Sequence, residues 1–260
     1  MQKFDWRADT YPMYINLDHR EDRREHIKEQ LDKVAIKADR VRGVYFHEVE
    51  DSNNPKYKKM VESWKGQLGC YTAHINCLER AYKVGASALI VEDDAFLCED
   101  FTDRMLYIEG FLNTHEWDVF WFGGTYHLDP TWHDTHHTNS LNRECTCTKG
   151  KDVERTDDPR IVRTYGCWST AGYLVNYNSI PKILHMLDEV VHRSTAIDHS
   201  FIMIEPFINT FAMIPALMKQ IDNHSDNYHG MNKFSEFANL GSHWYADRME
   251  QVDPSSIRIN

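Results

Sequence analysis

Apolar and polar residues alternate along this chain in blocks that predict strands and helices in turn. Residues 12–17 form a short apolar run, which predicts a first buried strand. In the next segment Ile27, Leu31 and Val34 recur at helical spacing among charged residues, so we expect a helix with one stripe facing the core. Residues 67–84 repeat this amphipathic pattern and predict a second helix.

The most continuous apolar run covers residues 88–91 and predicts a central strand, because parallel strands are buried on both faces. The alternation of strand and helix then continues to about residue 220, which predicts an α/β fold with a mostly parallel sheet flanked by helices. The later helices are expected at 99–113, 178–190 and from Ala196, and the later strands at 117–122, 161–165, 170–176, 211–215 and 216–220.

Two segments break this alternation. Residues 126–160 are polar, aperiodic and rich in His, Asp and Thr, and a loop of that length is typical of a lid or binding element. Residues 227–260 have no clear core stripe, so we expect them to wrap over the surface. The chain is therefore interpreted as a single domain, 1–260, with its core at about 11–226 and the long loop on the acceptor side.

Charge and composition narrow the class of protein. The net charge of -11 argues against nucleic acid as a partner, since phosphate backbones need a basic face. No apolar stretch approaches the roughly 20 residues of a spanning helix, and the first residues lack the apolar core of a signal peptide. Six scattered cysteines indicate reduced thiols, so we expect a cytoplasmic protein.

The apolar run at 88–91 ends in three acids, Glu92, Asp93 and Asp94. Ligands of open α/β sheets bind at the carboxyl ends of strands. Carboxylates crowded there repel one another unless a cation holds them, and Mg²⁺ or Mn²⁺ prefers oxygen ligands. The acids therefore predict a divalent metal that bridges the phosphates of a nucleotide. A solvated loop that caps the next helix is an equal alternative.

A receiver-like signalling domain also places an acidic pair and Mg²⁺ after an apolar strand. That interpretation needs the run to be the first strand and a later Asp to end another strand. Here a strand and two helices come first, Asp134 falls in the polar loop, and Asp118 begins its strand. The order of elements therefore argues against a receiver domain.

The end of the first strand carries a second charged cluster, with Arg20, Arg23 and Arg24 at the start of the predicted helix. A helix start with nearby arginines suits an anionic ligand. An exposed helix laced with ion pairs explains the same residues, and on this segment alone we favour it.

Taken together, the segments resemble glycosyltransferase family 25, which includes lipooligosaccharide sugar transferases, collagen galactosyltransferases and enzymes of large viruses. The resemblance covers about residues 11–226 and implies a GT-A-type fold, a nucleotide-sugar donor (we expect a UDP-sugar), Mn²⁺ or Mg²⁺, a glycan or glycoprotein acceptor, and inversion at the anomeric carbon. The matching segments, in the family's order, are YPMYINLDHREDRR, GQLGCYTAHINCLERA, ALIVEDD, WDVFWFGG, TAGYLVNYNSIPKIL, AIDHSF and PALMKQIDNHSD.

The resemblance also assigns roles at the metal. Glu92-Asp93-Asp94 corresponds to the family's acidic motif, and the strand pleat sends Glu92 and Asp94 to the same side. Asp94 is expected to bind the metal, Glu92 the metal, its water or the nucleotide ribose, and Asp93 to support them or share the ion. His224 is the candidate third ligand, although an ordinary loop histidine is as good an explanation.

Asp198 matches the family's Asp at the start of a helix and is the expected general base, with a helix-capping role as the alternative. His74 shares the stripe of Tyr71 and Leu78, which favours a core histidine that could also brace the nucleotide site. The residues expected to contact the donor are Asn16, Leu17, Asp18, Arg20, Arg23, Gln67, His74, Glu92 and Asp93.

His19 stands where the family usually has Arg, Ala73 where it commonly has Ser, and Asn227 where it usually has an apolar residue. These departures leave the predicted metal site intact and the identity of the donor sugar open. A catalytically silent protein that binds sugar nucleotides, or a scaffold with the same fold, is the other class of function. A structural zinc site in the long loop is the least favoured interpretation, because the spacing fits neither a ribbon nor a finger. The residues that suggest it are His127, His133, His136, His137, Cys145 and Cys147.

Overall fold

The computed structural model describes residues 3–45, 48–49, 65–127, 153–191, 196–221, 223–225, 230–232 and 244–246. Within them, helices cover both faces of an eight-stranded sheet. The helices are α1 (Glu21–Lys33), α2 (Lys65–Val84), α3 (Phe101–Leu112), α4 (Ile180–Val190) and α5 (Ile197–Ile204).

The strands predicted from the sequence are present, and the structure adds short strands that were not predicted. Pieces outside the main sheet form two-stranded pairs. Those of the first half are β1 (Thr10–Asn16), β2 (Asp39–Arg42), β3 (Ser87–Glu92), β4 (Ala95–Leu97), β5 (Val119–Trp121) and β6 (Thr125–His127). Those of the second half are β7 (Val153–Arg155), β8 (Ile161–Thr164), β9 (Gly172–Val175), β10 (Thr210–Met213), β11 (Met218–Gln220), β12 (Asn223–Ser225), β13 (Gly230–Asn232) and β14 (Trp244–Ala246).

The main sheet has the order β2-β1-β3-β9-β5-β10-β8-β7. Strands β2, β1 and β3 are parallel, as are β5 and β10. Strand β9 runs against both of its neighbours, and β8 runs against β10 and β7. Six of the eight strands thus point the same way, which confirms the mostly parallel sheet, and the two reversed strands were not expected from the sequence.

The core divides at the sheet because successive strand residues face opposite sides. In β3, Ala88 and Ile90 pack with residues of α2, α4 and α5. Leu89 and Val91 pack on the other face, with residues of α1 and α3. All four of these side chains have no exposed surface. This burial on both faces is what the unbroken apolar run predicts.

The predicted elements are present within a few residues of their expected ends. One expectation was wrong in part: strand β7 lies inside the stretch 126–160 that was interpreted as loop, and it pairs with β8. Residues 128–152 of that stretch, and most of 227–260, lie outside the described residues. Among the helices that the structure describes, none is both long enough and apolar enough to span a membrane.

Candidate functional site

Polar side chains gather at the edge of the sheet where β1 and β3 end. The register places Ile15 beside Glu92, so Asn16 and the acids after β3 meet at this edge. Because β9 is antiparallel to β3, the residues that precede β9 meet there as well, and Glu92 N–H donates to the carbonyl of Ala171 at 2.8 Å. The reversed strand therefore brings a third segment to the carboxyl ends of the parallel ones.

Glu92 is the centre of a hydrogen-bond network. Its Oε1 contacts His74 Nε2 at 3.2 Å and accepts from the hydroxyl of Thr170. Its Oε2 accepts from Gln220 Nε2 at 3.0 Å. Burial alone would raise the pKa of Glu92, but the bonds from His74 and Thr170 and the nearby charge of Arg23 outweigh it and lower the pKa. Glu92 is therefore held as a carboxylate.

Asp93 turns towards α1 and away from Gln220. Asn16 Nδ2 donates to its Oδ2 at 2.7 Å, and Arg23 Nη1 lies 3.1 Å from its Oδ1. Burial raises the pKa of Asp93 by more than Arg23 and Asn16 lower it. Asn16 is itself held by Arg40, whose Nε donates to Asn16 Oδ1 at 3.1 Å.

Asp94 lies on the same side as Glu92, but β3 ends at Glu92, so the turn at Asp93 and Asp94 places it there and not the strand pleat. Gln220 Nε2 reaches Asp94 Oδ1 at 3.3 Å, so one amide nitrogen contacts both carboxylates. Arg23 Nη1 lies 3.4 Å from the other oxygen, Asp94 Oδ2. The chain's own cation therefore offsets part of the repulsion that the sequence argument assigned to a metal. The converging oxygens of Glu92 and Asp94 still fit a hard divalent ion.

Asp198 is connected to this network through Ser169. Its Oδ2 accepts from the backbone N–H of Ser169 at 3.4 Å, and Ser169 Oγ donates to Gln220 Oε1 at 2.7 Å. Ser169 has a φ of 77°, an uncommon conformation for a residue with a side chain, and such strain is typical of functional sites. The chain Asp198–Ser169–Gln220 thus joins the expected base to the acids at Glu92.

The position of Asp198 bears on the capping alternative. The N-cap residue of α5 is Ala196, and Asp198 lies one position inside the helix, after Ile197. Its Oδ1 accepts from the N–H of His199 at 2.8 Å, which is a first-turn contact. Asp198 is half-buried beside the exposed His199, whose ring meets that of Trp168 edge to face at 4.5 Å. Asp198 is therefore a first-turn residue of α5 and not its N-cap.

Two residues of α2, Cys70 and His74, lie against Glu92. Their ligand atoms and the Glu92 carboxylate are within 4.8 Å of one another. His74 is fully buried, and its other ring nitrogen lies 2.8 Å from the hydroxyl of Tyr173. Burial raises the pKa of the Cys70 thiol well above its usual value, and the charges of Glu92 and Asp198 add to the effect. The core position expected for His74 is confirmed, and its role in bracing a nucleotide site stays a prediction.

The other residues expected to contact the donor are placed at the edge of this network. Asp18 is exposed and binds Arg40, which lowers the pKa of Asp18. Arg20 Nη2 lies 2.8 Å from the carboxylate of Asp22. Leu17 is half-buried between Asn16 and Asp18, and Gln67 lies one turn before Cys70. His224 belongs to β12, but its side chain is outside the described residues.

Sequence reasoning missed Ser169, Thr170, Tyr173, Gln220 and Arg40 as parts of the site. Thr170 and Tyr173 lie in a segment that was quoted only for its resemblance, and Gln220 lies 128 residues from Glu92. A short-range signal existed only for Thr170 and Ser169, two hydroxyls just before an apolar strand. Asp118, weighed in the receiver-like interpretation, instead accepts from Asn209 N–H at 2.7 Å and from Ser179, away from this site.

Sequence comparisons relate the chain to known proteins. A family model described as glycosyltransferase family 25 (LPS biosynthesis protein) matches residues 11–201. Procollagen galactosyltransferase 1-B of Xenopus laevis is 25% identical over 193 residues, which are 66% of this chain and 27% of that protein. The chain thus spans about a quarter of that relative.

Three solved structures that are similar to the chain have low sequence identity to it. Mouse xyloside xylosyltransferase 1 aligns over 76% of this chain and 82% of its own, with 10% identity and a TM-score of 0.42. A197 from STIV aligns over 85% and 87%, with 11% identity and a TM-score of 0.41. Mannose-1-phosphate geranyltransferase from Thermus thermophilus aligns over 79% and 74%, with 11% identity and a TM-score of 0.39.

Proposed function

The chain belongs to glycosyltransferase family 25, and from that premise we propose that it transfers a sugar, with inversion, from a UDP-linked donor to a hydroxyl of a glycan or glycoprotein in a reaction that needs Mn²⁺ or Mg²⁺. The observation that carries the proposal is the connection of Glu92 and Asp94 to Asp198 through Gln220 and Ser169. These bonds support the proposal because they place the proposed cation ligands and the proposed base in one connected network.

The metal is proposed to bind the oxygens of Asp94 and Glu92, which already converge on one nitrogen of Gln220. When bound, such an ion supplies positive charge to the departing diphosphate. His224 is the proposed further ligand. Arg23 and Asn16, which both contact Asp93, would help to orient the acids for the ion.

The donor's nucleotide is proposed to lie over the ends of β1 and β2. Asn16 and Arg40 hold each other there, and Asp18 and Leu17 form the turn that follows β1. Arg20 and Gln67 are proposed to contact the donor from the starts of α1 and α2. The cations near this edge suit an anionic diphosphate in a chain that is acidic as a whole.

Asp198 is proposed to take the proton of the acceptor hydroxyl. As that oxygen attacks the anomeric carbon, its O–H bond breaks towards an Asp198 carboxylate oxygen, and the bond to the diphosphate breaks on the opposite side of the carbon. The bonds from Ser169 N–H and His199 N–H fix the carboxylate in position. Trp168 and His199 form an aromatic surface beside it on which an acceptor sugar can stack.

A donor screen by thermal shift tests this proposal. We expect one nucleoside diphosphate sugar to raise the Tm by roughly 5 °C or more at concentrations far above its Kd, because a ligand that binds only the native state stabilises it. The rise should need Mn²⁺ and disappear when the metal is chelated. The same donor should be hydrolysed slowly in the presence of Mn²⁺.

The second candidate, a catalytically silent binding protein, gives a different result. It would show the rise in Tm but no hydrolysis and no transfer for any donor. The connection of Asp198 to the acids through Ser169 and Gln220 favours the enzyme over this candidate, since binding alone does not need a base.

A further inference from the structure

A second ligand set lies inside the site, on the side of α2. Cys70 Sγ, His74 Nε2 and a Glu92 oxygen lie within 4.8 Å of one another, and the His74–Glu92 pair is 3.2 Å apart. A tetrahedral zinc ion holds neighbouring ligand atoms about 3.3 to 3.7 Å apart, given metal–ligand bonds of about 2.0 to 2.3 Å. The His74–Glu92 pair is already at this spacing, and Cys70 Sγ, within 4.8 Å of both, must move closer for the three atoms to share one ion.

The local structure favours this arrangement in two ways. Cys70 and His74 are four residues apart on α2, so both side chains leave the same face of the helix. The second ring nitrogen of His74 is held at 2.8 Å by the Tyr173 hydroxyl, and the two rings stack with centroids 5.7 Å apart. A partner on the far nitrogen is the support that metal-binding histidines use to fix their orientation.

We propose that Cys70, His74 and Glu92 form a thiophilic metal site that takes Zn²⁺ or a similar divalent transition ion, beside the hard-cation site at Asp94. Thiolate and imidazole ligands select such ions, whereas carboxylates alone suit Mg²⁺ and Mn²⁺. The thiol loses its proton to bulk water when the ion binds. Because Glu92 belongs to both sets, an ion held by Cys70 withdraws Glu92 from the site at Asp94.

Titration with Co²⁺ reads the thiolate ligand directly. Tetrahedral Co²⁺ bound to sulfur gives a near-ultraviolet charge-transfer band, which carboxylate ligands do not give. We expect the native protein to show this band at one equivalent of Co²⁺ and to lose it when Zn²⁺ displaces the ion. Cys70→Ser should abolish the band, and His74→Gln and Glu92→Gln should weaken the binding by about 10-fold or more.

Two control variants make the result specific. Cys98→Ser makes the same atomic change at a buried cysteine that packs on the other face of the sheet, and it should keep the band. The double variant Cys145→Ser/Cys147→Ser should also keep it, because the proposal does not involve those residues. Circular dichroism checks that each variant is folded. Cys70→Ser is the decisive variant because it removes the sulfur ligand while changing the side-chain volume little.

The proposal is overturned if folded Cys70→Ser keeps the band, if the double variant loses it, or if the native protein shows no band at all. The readout does not depend on sugar transfer. The proposed zinc site can therefore be disproved while the proposed glycosyltransferase activity is confirmed. Conversely, the activity can be absent in a protein that binds Zn²⁺ at this site.

Discussion

Two arginines at the start of α1 pair with acids of different exposure. We call these contacts the exposed set, Arg20 with Asp22, and the buried set, Arg23 with Asp93 and Asp94. Arg20 pairs with Asp22, whose side chain is 66% exposed. Arg23 pairs with Asp93, whose side chain is 10% exposed. In the sequence both arginines belong to one charged run. The exposed pair therefore contributes little to stability, whereas losing one partner of the buried contacts lowers stability strongly.

The largest expected effect is at Asp94 in the buried set. Asp94→Asn keeps the size of the side chain but removes the charge that the metal needs. Transfer should fall by more than about a thousandfold, corresponding to roughly 4 kcal/mol of lost stabilisation of the departing diphosphate. Steady-state assays with Mn²⁺ measure this, and undiminished turnover in the folded variant would remove Asp94 from the mechanism.

The second effect concerns Asp198, the proposed base for the acceptor hydroxyl. Asp198→Asn cannot take a proton at neutral pH, so kcat should fall by about a hundredfold or more while donor affinity stays unchanged. Asp103→Asn is the matched control, because Asp103 is an exposed acid in the first turn of α3. If Asp198→Asn lowers the Tm and spares the rate, the residue has only a structural role.

Asp94 and Asp198 were predicted for different reasons, Asp94 from the pattern of residues around β3 and Asp198 from the resemblance to the family. An apolar run that ends in acids is a local pattern, so the end of β3 and its carboxylates could be predicted. The link between them could not, because Gln220 meets Glu92 across 128 residues, where a short strand pairs with β4. The bond from Ser169 likewise depends on the reversed β9, which no periodicity distinguishes from a parallel strand.

A smaller loss of activity is expected from a change at Ser169, which links Asp198 to Gln220. Ser169→Ala removes the hydroxyl that donates to Gln220 but keeps the backbone N–H that donates to Asp198. We expect kcat to fall by about 10-fold, the usual scale for a residue that orients others, with donor binding little changed. An equal loss in the Asp94→Asn background would show that Ser169 acts independently of the metal, against the network described here.

The smallest effect is expected in the exposed set. Arg20 lowers the pKa of Asp22 to about 2, from 3.8, against a smaller effect of burial. The stability from this pair is present above pH 3.8 and is lost as the pH falls through about 2. Asp22→Asn should cost less than about 0.5 kcal/mol at neutral pH in urea unfolding, and the difference from the native protein should shrink below pH 3.8. A loss of several kcal/mol would mean that the two sets do not differ.

Donor binding measured by calorimetry, with and without Mn²⁺, tests the central claim most directly. In the native protein Mn²⁺ should tighten the binding of the nucleoside diphosphate by at least about 10-fold. Asp94→Asn should abolish this coupling, and Asp198→Asn should keep it, because one residue serves the ion and the other the acceptor. Equal affinity with Mn²⁺ and with a chelator in the native protein would contradict a metal-assisted donor site at the end of β3.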